Sequence, residues 1–197
     1  MSVPQRIAIT GASGLIGTAL VGHLKAEGHT VQRLVRRTPV GADEVQWNPQ
    51  TGFVDLEPLR GVDAIIHLAG VGVGDKRWTK KYKSEILNSR LLGTTAIAKA
   101  VAELKPQVFI SASAIGWYGE SGNRAVVESD RVGDDFLAAV CREWEAAADL
   151  AGDVRTVKIR TGLVLDPTGG ALGRMLPLFR LGLGGKLGNG KQWWSWI

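Results

Sequence analysis

The chain has 197 residues, 45% of them hydrophobic and 22% charged, long enough to bury one full core. Its formal net charge is +5, but outside Arg33 to Arg37 and Lys76 to Lys83 the basic residues are dispersed, which suits anionic small molecules better than a nucleic-acid partner. A single cysteine, Cys141, excludes an intrachain disulfide, no stretch approaches about 18 uninterrupted apolar residues, and Met1 to Gln5 lack an apolar signal region, so a cytoplasmic chain without membrane contact is the expectation.

Arg6 to Thr10 is an apolar run, Leu15 to Lys25 is amphipathic, and almost nothing lies between them. This predicts a strand, a tight glycine turn and a helix. Gly11 serves the turn, Gly14 offers a surface without Cβ where a pyrophosphate can approach, and Gly17 lets helix and strand pack closely. An anion then rests on the free N–H groups and positive dipole of the helix start, which makes Gly11, Ser13, Gly14, Leu15, Ile16 and Gly17 the candidate dinucleotide-binding residues. The competing reading is a structural turn, because Gly-x-x-Gly-x-x-Gly is a weak signal in a chain with 26 glycines. The strand-to-helix context favours the dinucleotide.

The helix ends at Gly28-His29 and a second strand covers Thr30 to Val35, completing a βαβ unit. At its end, 19 residues beyond Gly17, an NAD site commonly places an acid on the adenosine ribose, whereas this chain has Arg36 and Arg37. Two guanidinium groups favour the 2′-phosphate of NADP (NADPH); the alternative is a solvated strand end. Glu44 to Trp47 and Phe53-Val54 flank a turn at Asn48 to Gly52 and predict a small hairpin. Asp63 to Gly70 reads as a buried central strand, with His67 as a hydrogen-bonded structural group or a base. Leu68, Ala69 and Gly70 close that strand with small residues that leave room for a cofactor crossing the sheet edge.

Gly70 to Lys83 begins as a loop over the cleft and becomes the head of a helix running to about Leu104. Its lysines, interleaved with Trp78 and Tyr82, read as a solvated face with two anchoring aromatics, as a lid for an anionic substrate, or as a stacking surface for single-stranded nucleic acid. Gln107 to Ser111 is a further buried strand, Asp134 to Leu150 a helix with Cys141 on its packed face, and Arg155 to Arg160 another strand, for a sheet of about six. Ala171 to Leu183 reads as a helix interrupted at Pro177, 184–190 as a loop, and Gln192 to Ile197 as an aromatic, strand-like segment.

Thr10 to Gly17, His67 to Gly70, and Arg90 with Gly93-Thr94 resemble the extended short-chain dehydrogenases, the nucleotide-sugar epimerase and dehydratase superfamily. Ser111 to Gly119, Trp144 to Ala147, Arg160 to Gly162 and Phe179 to Ile197 are similar to an atypical branch often labelled epimerase or cell-division-inhibitor-like. The resemblance implies an α/β fold, a Rossmann-like doubly wound parallel sheet with helices on both faces, over 1–165. It also implies that 166–197 begins a substrate-binding lobe, so that the sequence looks truncated. It places Glu85 and Arg90 towards the cofactor, Val164 beside the nicotinamide, and Ser113 on the reacting oxygen of a small carbonyl or sugar-like substrate. In that superfamily a Tyr-x-x-x-Lys pair supplies acid/base chemistry, but here Phe136 and Val140 stand in its place. Tyr118 is the candidate substitute, or a structural tyrosine. Two functions follow: an NADP-dependent reductase, dehydrogenase or epimerase-type enzyme, or an NADP-binding sensor without turnover. No metal site is expected.

Overall fold

The computed structural model describes residues 3–186 and 188–197; Met1, Ser2 and Leu187, the last within the loop expected over 184–190, lie outside the described residues. Strands β1 (Arg6–Thr10), β2 (Thr30–Val35), β3 (Glu44–Asn48), β4 (Phe53–Val54), β5 (Ala64–His67), β6 (Val108–Ala114) and β7 (Thr156–Thr161) form one sheet in the order β4-β3-β2-β1-β5-β6-β7. All neighbours pair in parallel except β3 and β4, the expected hairpin. The seven strands exceed the six or so expected because β3 and β4 extend the sheet itself, β3 lying parallel to β2.

Helix α1 (Leu15–Ala26) packs Leu20, Val21 and Leu24 against Ile7, Ile9, Val31 and Ile66 on one face. On the other face Ile97, Ala98 and Val101 of α2 (Lys80–Leu104), with Ala148 at the end of α3 (Phe136–Ala148), cover Ala8, Leu34, Ile65 and Phe109. Successive strand residues point to opposite faces, so a strand buried on both sides must be apolar throughout, which is why β1 and β5 read as continuous runs. The chain leaves β1 towards β2 on one side and has β5 on the other, placing the switch of strand order between β1 and β5.

The last part of the chain holds a two-residue strand, β8 (Leu165–Asp166), and helix α4 (Gly170–Arg180). Pro177 lies inside α4 without interrupting it, contrary to the sequence expectation. Gln192 to Ile197 forms no strand among the described residues; it runs alongside 163–165, with Leu163 N–H donating to the Ser195 carbonyl at 2.8 Å and Ile197 N–H to the Leu163 carbonyl at 3.1 Å.

Candidate active site

The carboxyl ends of β1 and β5 are tied together at Thr10, whose buried hydroxyl pairs with His67 Nδ1 at 2.7 Å and accepts N–H bonds from Leu68 and Ala69 at 3.2 and 3.3 Å. His67 is fully buried, and burial pushes its imidazole down to about 3, so the ring is neutral. It has no path to act as a base at the surface and belongs to the structural reading.

The three glycines of the turn differ in what they protect. Gly11 has φ +70°, and a Cβ there would lie 2.8 Å from the Leu68 carbonyl carbon, while one on Gly17 would lie 2.1 Å from the Gly11 oxygen. Both are demanded by the fold. Gly14 has φ −78°, open to any residue, and its Cβ would meet only the Gly11 oxygen, at 3.3 Å. Its bare surface faces the cleft. The first main-chain bond of α1 runs from Thr18 N–H to the Gly14 carbonyl at 2.8 Å, and no side chain caps the helix. The amides of Leu15, Ile16 and Gly17 precede that bond and form an uncapped, positive helix start.

This turn opens on a cavity of about 970 Å³. Gly11 to Gly14 and Leu68, Ala69 and Gly70 form its middle, Arg36, Arg37 and Glu44 one end, and Lys76 and Glu85 part of the other. The two arginines are not equivalent. Arg37 binds the carboxylate of Glu44 with both terminal nitrogens, at 2.7 and 2.6 Å, and Arg33 adds a contact at 3.2 Å. Bonds from Arg37 and from the Val40 amide hold the Glu44 carboxyl down to about 2, so the acid at this end is charged and already neutralised. Arg36 is exposed and makes no ion pair or hydrogen bond among the described residues.

Of Glu85, Arg90 and Val164, Glu85 alone lines the cavity. Glu85 lines it and pairs with Lys76 at 3.7 Å, but Arg90 turns beneath the loop, donating to the carbonyls of Val71 and Ile86 at 2.9 and 3.2 Å and lying 4.9 Å from the Trp144 ring centre. Val164 stands near the start of α1 without lining the cavity: a Cβ on Gly170 would touch both Leu15, at 3.3 Å, and the Val164 carbonyl, at 3.7 Å.

A second constellation sits at the carboxyl ends of β6 and β7, where Ser113 and Arg160 are register partners. Ser113, 4% exposed, donates its hydroxyl proton to Glu145 Oε1 at 2.6 Å. Arg160 grips the same carboxylate with Nε at 2.8 Å and Nη2 at 2.9 Å, and its Nη1 donates to the Tyr118 hydroxyl at 3.1 Å. Burial pushes the Glu145 carboxyl up, but the Arg160 and Ser113 bonds outweigh it and hold it below its ordinary value. The guanidinium also stacks 3.9 Å from the Trp117 ring centre. Neither Ser113 nor Tyr118 lines the cavity. Cys141 rests in the core beside Ala114, and burial pushes its thiol up to about 11.

Glu145 and Arg160 lie within the sequence motifs Trp144 to Ala147 and Arg160 to Gly162, which by themselves assign neither a role. A carboxylate among Val140, Cys141, Trp144 and Ala148 on a buried helix face was the available signal, since a buried charge requires a partner.

Residues 7–136 match the NAD dependent epimerase/dehydratase family. The chain is 46% identical over 194 residues to an epimerase family protein of Mycobacterium leprae, covering 97% of this chain and 63% of that protein. It is 38% identical over 199 residues to human epimerase family protein SDR39U1, covering 98% of this chain and 66% of that one. Among solved structures, a nucleoside-diphosphate sugar epimerase from Corynebacterium glutamicum superposes with a TM-score of 0.86 at 41% identity, over 99% of this chain and 41% of that one. Human SDR39U1 (isoform 2) with NADPH gives 0.86 at 36% identity, over 98% and 65% of the two chains. The chain therefore spans a little under two thirds of the curated relatives it matches. With the glycine turn, the β1/β5 switch and the strands around them inside the matched span, this chain belongs to the NAD dependent epimerase/dehydratase family.

Proposed function

We propose that this chain is the NADP(H)-binding part of an oxidoreductase or epimerase-type enzyme acting on a small carbonyl or sugar-like substrate. The observation that supports it most is the uncapped start of α1 behind Gly14, a position whose φ of −78° does not call for glycine and whose bare surface opens onto the cleft. A pyrophosphate fits such a start, because amide donors and the helix dipole both favour an anion. The NADPH-bound human relative supports the same cofactor. Bound NADPH supplies a hydride at its nicotinamide ring.

The chain's own residues then divide the work. Gly14, Leu15, Ile16 and Gly17 receive the pyrophosphate, Ser13 and Leu68 to Gly70 border it, and Arg36 meets the 2′-phosphate. Arg37, held by Glu44, shapes the turn beside it. Glu85, Arg90 and Val164 support the walls: Glu85 from the cleft side, Arg90 from beneath its loop, Val164 from beside Leu15. Because Arg160 donates to the Tyr118 oxygen, the phenol keeps its own proton for a substrate oxygen, and the guanidinium stabilises negative charge as that proton leaves. Ser113 acts through Glu145, fixing the carboxylate that orients Arg160.

A second reading, an NADP-binding sensor without turnover, is favoured by Phe136 in place of tyrosine and by the commitment of the Ser113 proton to Glu145. Calorimetric titration with NADPH and NADH tests the cofactor assignment: NADPH should bind more tightly, and equal affinity overturns it. Oxidation of bound NADPH across carbonyl and nucleotide-sugar compounds separates the two readings, with Tyr118→Phe slowing it about 10²- to 10⁴-fold if Tyr118 is the acid.

A further inference from the structure

One face of α4 meets both rims of the cavity. Its start rests on the helix behind the glycine turn: a Cβ on Gly170 would lie 3.3 Å from the Leu15 side chain, and one on Gly169 3.1 Å from it. Four residues beyond Gly170, and so on the same side of the helix, Arg174 reaches the loop between β5 and α2. Its Nη1 donates to the Gly74 carbonyl and its Nη2 to Asp75 Oδ1, both at 2.5 Å. Gly14 on the first rim and Gly72 and Asp75 on the second all line the cavity. The base of that loop is fastened to α2: the Val71 N–H donates to Ser89 Oγ at 3.2 Å, Arg90 to the Val71 carbonyl at 2.9 Å, and the Tyr82 hydroxyl to the Gly72 carbonyl at 2.5 Å. The tip, Gly74 to Lys76, is exposed; Lys76 ties it to Glu85 of α2 at 3.7 Å, and Arg174 ties it to α4. The Asp75 carboxylate folds back over Gly72, where a Cβ would lie 2.3 Å from Oδ2, so the loop itself aims the acid.

We propose that Arg174 is a clasp that holds the tip of the 71–79 loop against α4 across the mouth of the cleft, and that cofactor enters and leaves as the Arg174–Asp75 pair breaks. What passes the mouth rests on the reading of the cavity as an NADPH site; the clasp itself stands on Arg174, Gly74 and Asp75. Its strength suits a device that opens. The two side chains are 60% and 49% exposed, and an ion pair with that much water around it shifts an equilibrium by about fivefold at most. The base of the loop stays in place, because Tyr82, only 3% exposed, holds Gly72 from within the core. Opening is therefore confined to the tip.

Hydrogen–deuterium exchange of the 72–76 amides, followed by mass spectrometry without cofactor, reports how often the tip opens. The fluorescence decay on chasing bound NADPH with excess NADP reports release. Arg174→Gln should speed both about threefold. Asp75→Asn should speed both by less, since the bond from Arg174 to the Gly74 carbonyl stays, and the double variant should match Arg174→Gln alone because the pair is already lost. Unchanged exchange in Arg174→Gln, or faster exchange without faster release, overturns the clasp. Faster release in Arg174→Gln with slower release in Asp75→Asn overturns it too, since opposite signs mark two charges acting on a bound phosphate and not on each other. If the unaltered protein binds no NADPH, the cofactor reading falls, and the exchange measurement alone decides on the clasp.

Discussion

Replacing Arg36 with glutamine removes the one cation at the end of β2 that has no partner among the described residues, while leaving the Arg37, Arg33 and Glu44 cluster intact. A hydrogen bond to a charged group contributes about 1.5–3 kcal/mol, and Arg36 is exposed, so water and salt screen it towards the lower figure. The expected loss is about 1.5 kcal/mol, about tenfold in NADPH affinity, with NADH affinity unchanged because the 2′-phosphate is the only difference between the two. Arg37→Gln should cost less in cofactor preference, since both terminal nitrogens of Arg37 are already engaged with Glu44. Calorimetry of the three proteins with both cofactors, repeated at raised salt, measures this directly. An Arg36→Gln protein that still prefers NADPH as strongly as the parent, or a larger loss of preference in Arg37→Gln, refutes the division of labour between the two arginines.

Gly14→Ala should weaken NADPH binding at least tenfold while shifting the thermal midpoint by no more than about 2–4 °C, whereas Gly17→Ala, whose Cβ would lie 2.1 Å from the Gly11 oxygen, should unfold at much lower temperature; differential scanning fluorimetry beside calorimetry distinguishes them, and equal stability losses would mark Gly14 as structural. Glu145→Ala leaves Arg160 and Ser113 without their shared acceptor and should lower unfolding free energy by about 3 kcal/mol in urea titrations; a loss under about 1 kcal/mol contradicts a buried, mutually dependent network. The His67 imidazole titrates near its ordinary value of about 6.5 when unfolded and about 3 when folded, so the unfolded state takes up the proton first. Its contribution is complete above pH 6.5 and falls by about 1.4 kcal/mol per pH unit between 6.5 and about 3. The pH dependence of unfolding should therefore be shallower in His67→Gln over that interval, and parallel curves would refute the shift.

The sequence by itself determined what depends on short stretches. The glycine turn, the βαβ unit, the buried strands at 6–10 and 64–67, the hairpin and the long helix ending at Leu104 were all legible, because periodicity, glycine geometry and strand burial are properties of neighbouring residues. Tertiary structure alone decided which charges are free and which are committed. Arg36 and Arg37 are adjacent and chemically identical, yet Glu44, which β3 sets in register with Arg33 of β2, pairs with the second and not the first. Ser113 and Arg160 face each other through the β6–β7 register, and Glu145 arrives from α3 between them, so a serine that reads as a substrate contact has its proton directed inward. Lys83 and Phe136 meet only because the start of α3 packs on the start of α2. In each case the partner is brought up by the packing of a different element, and a charge or a proton takes its role from the group that folding sets beside it.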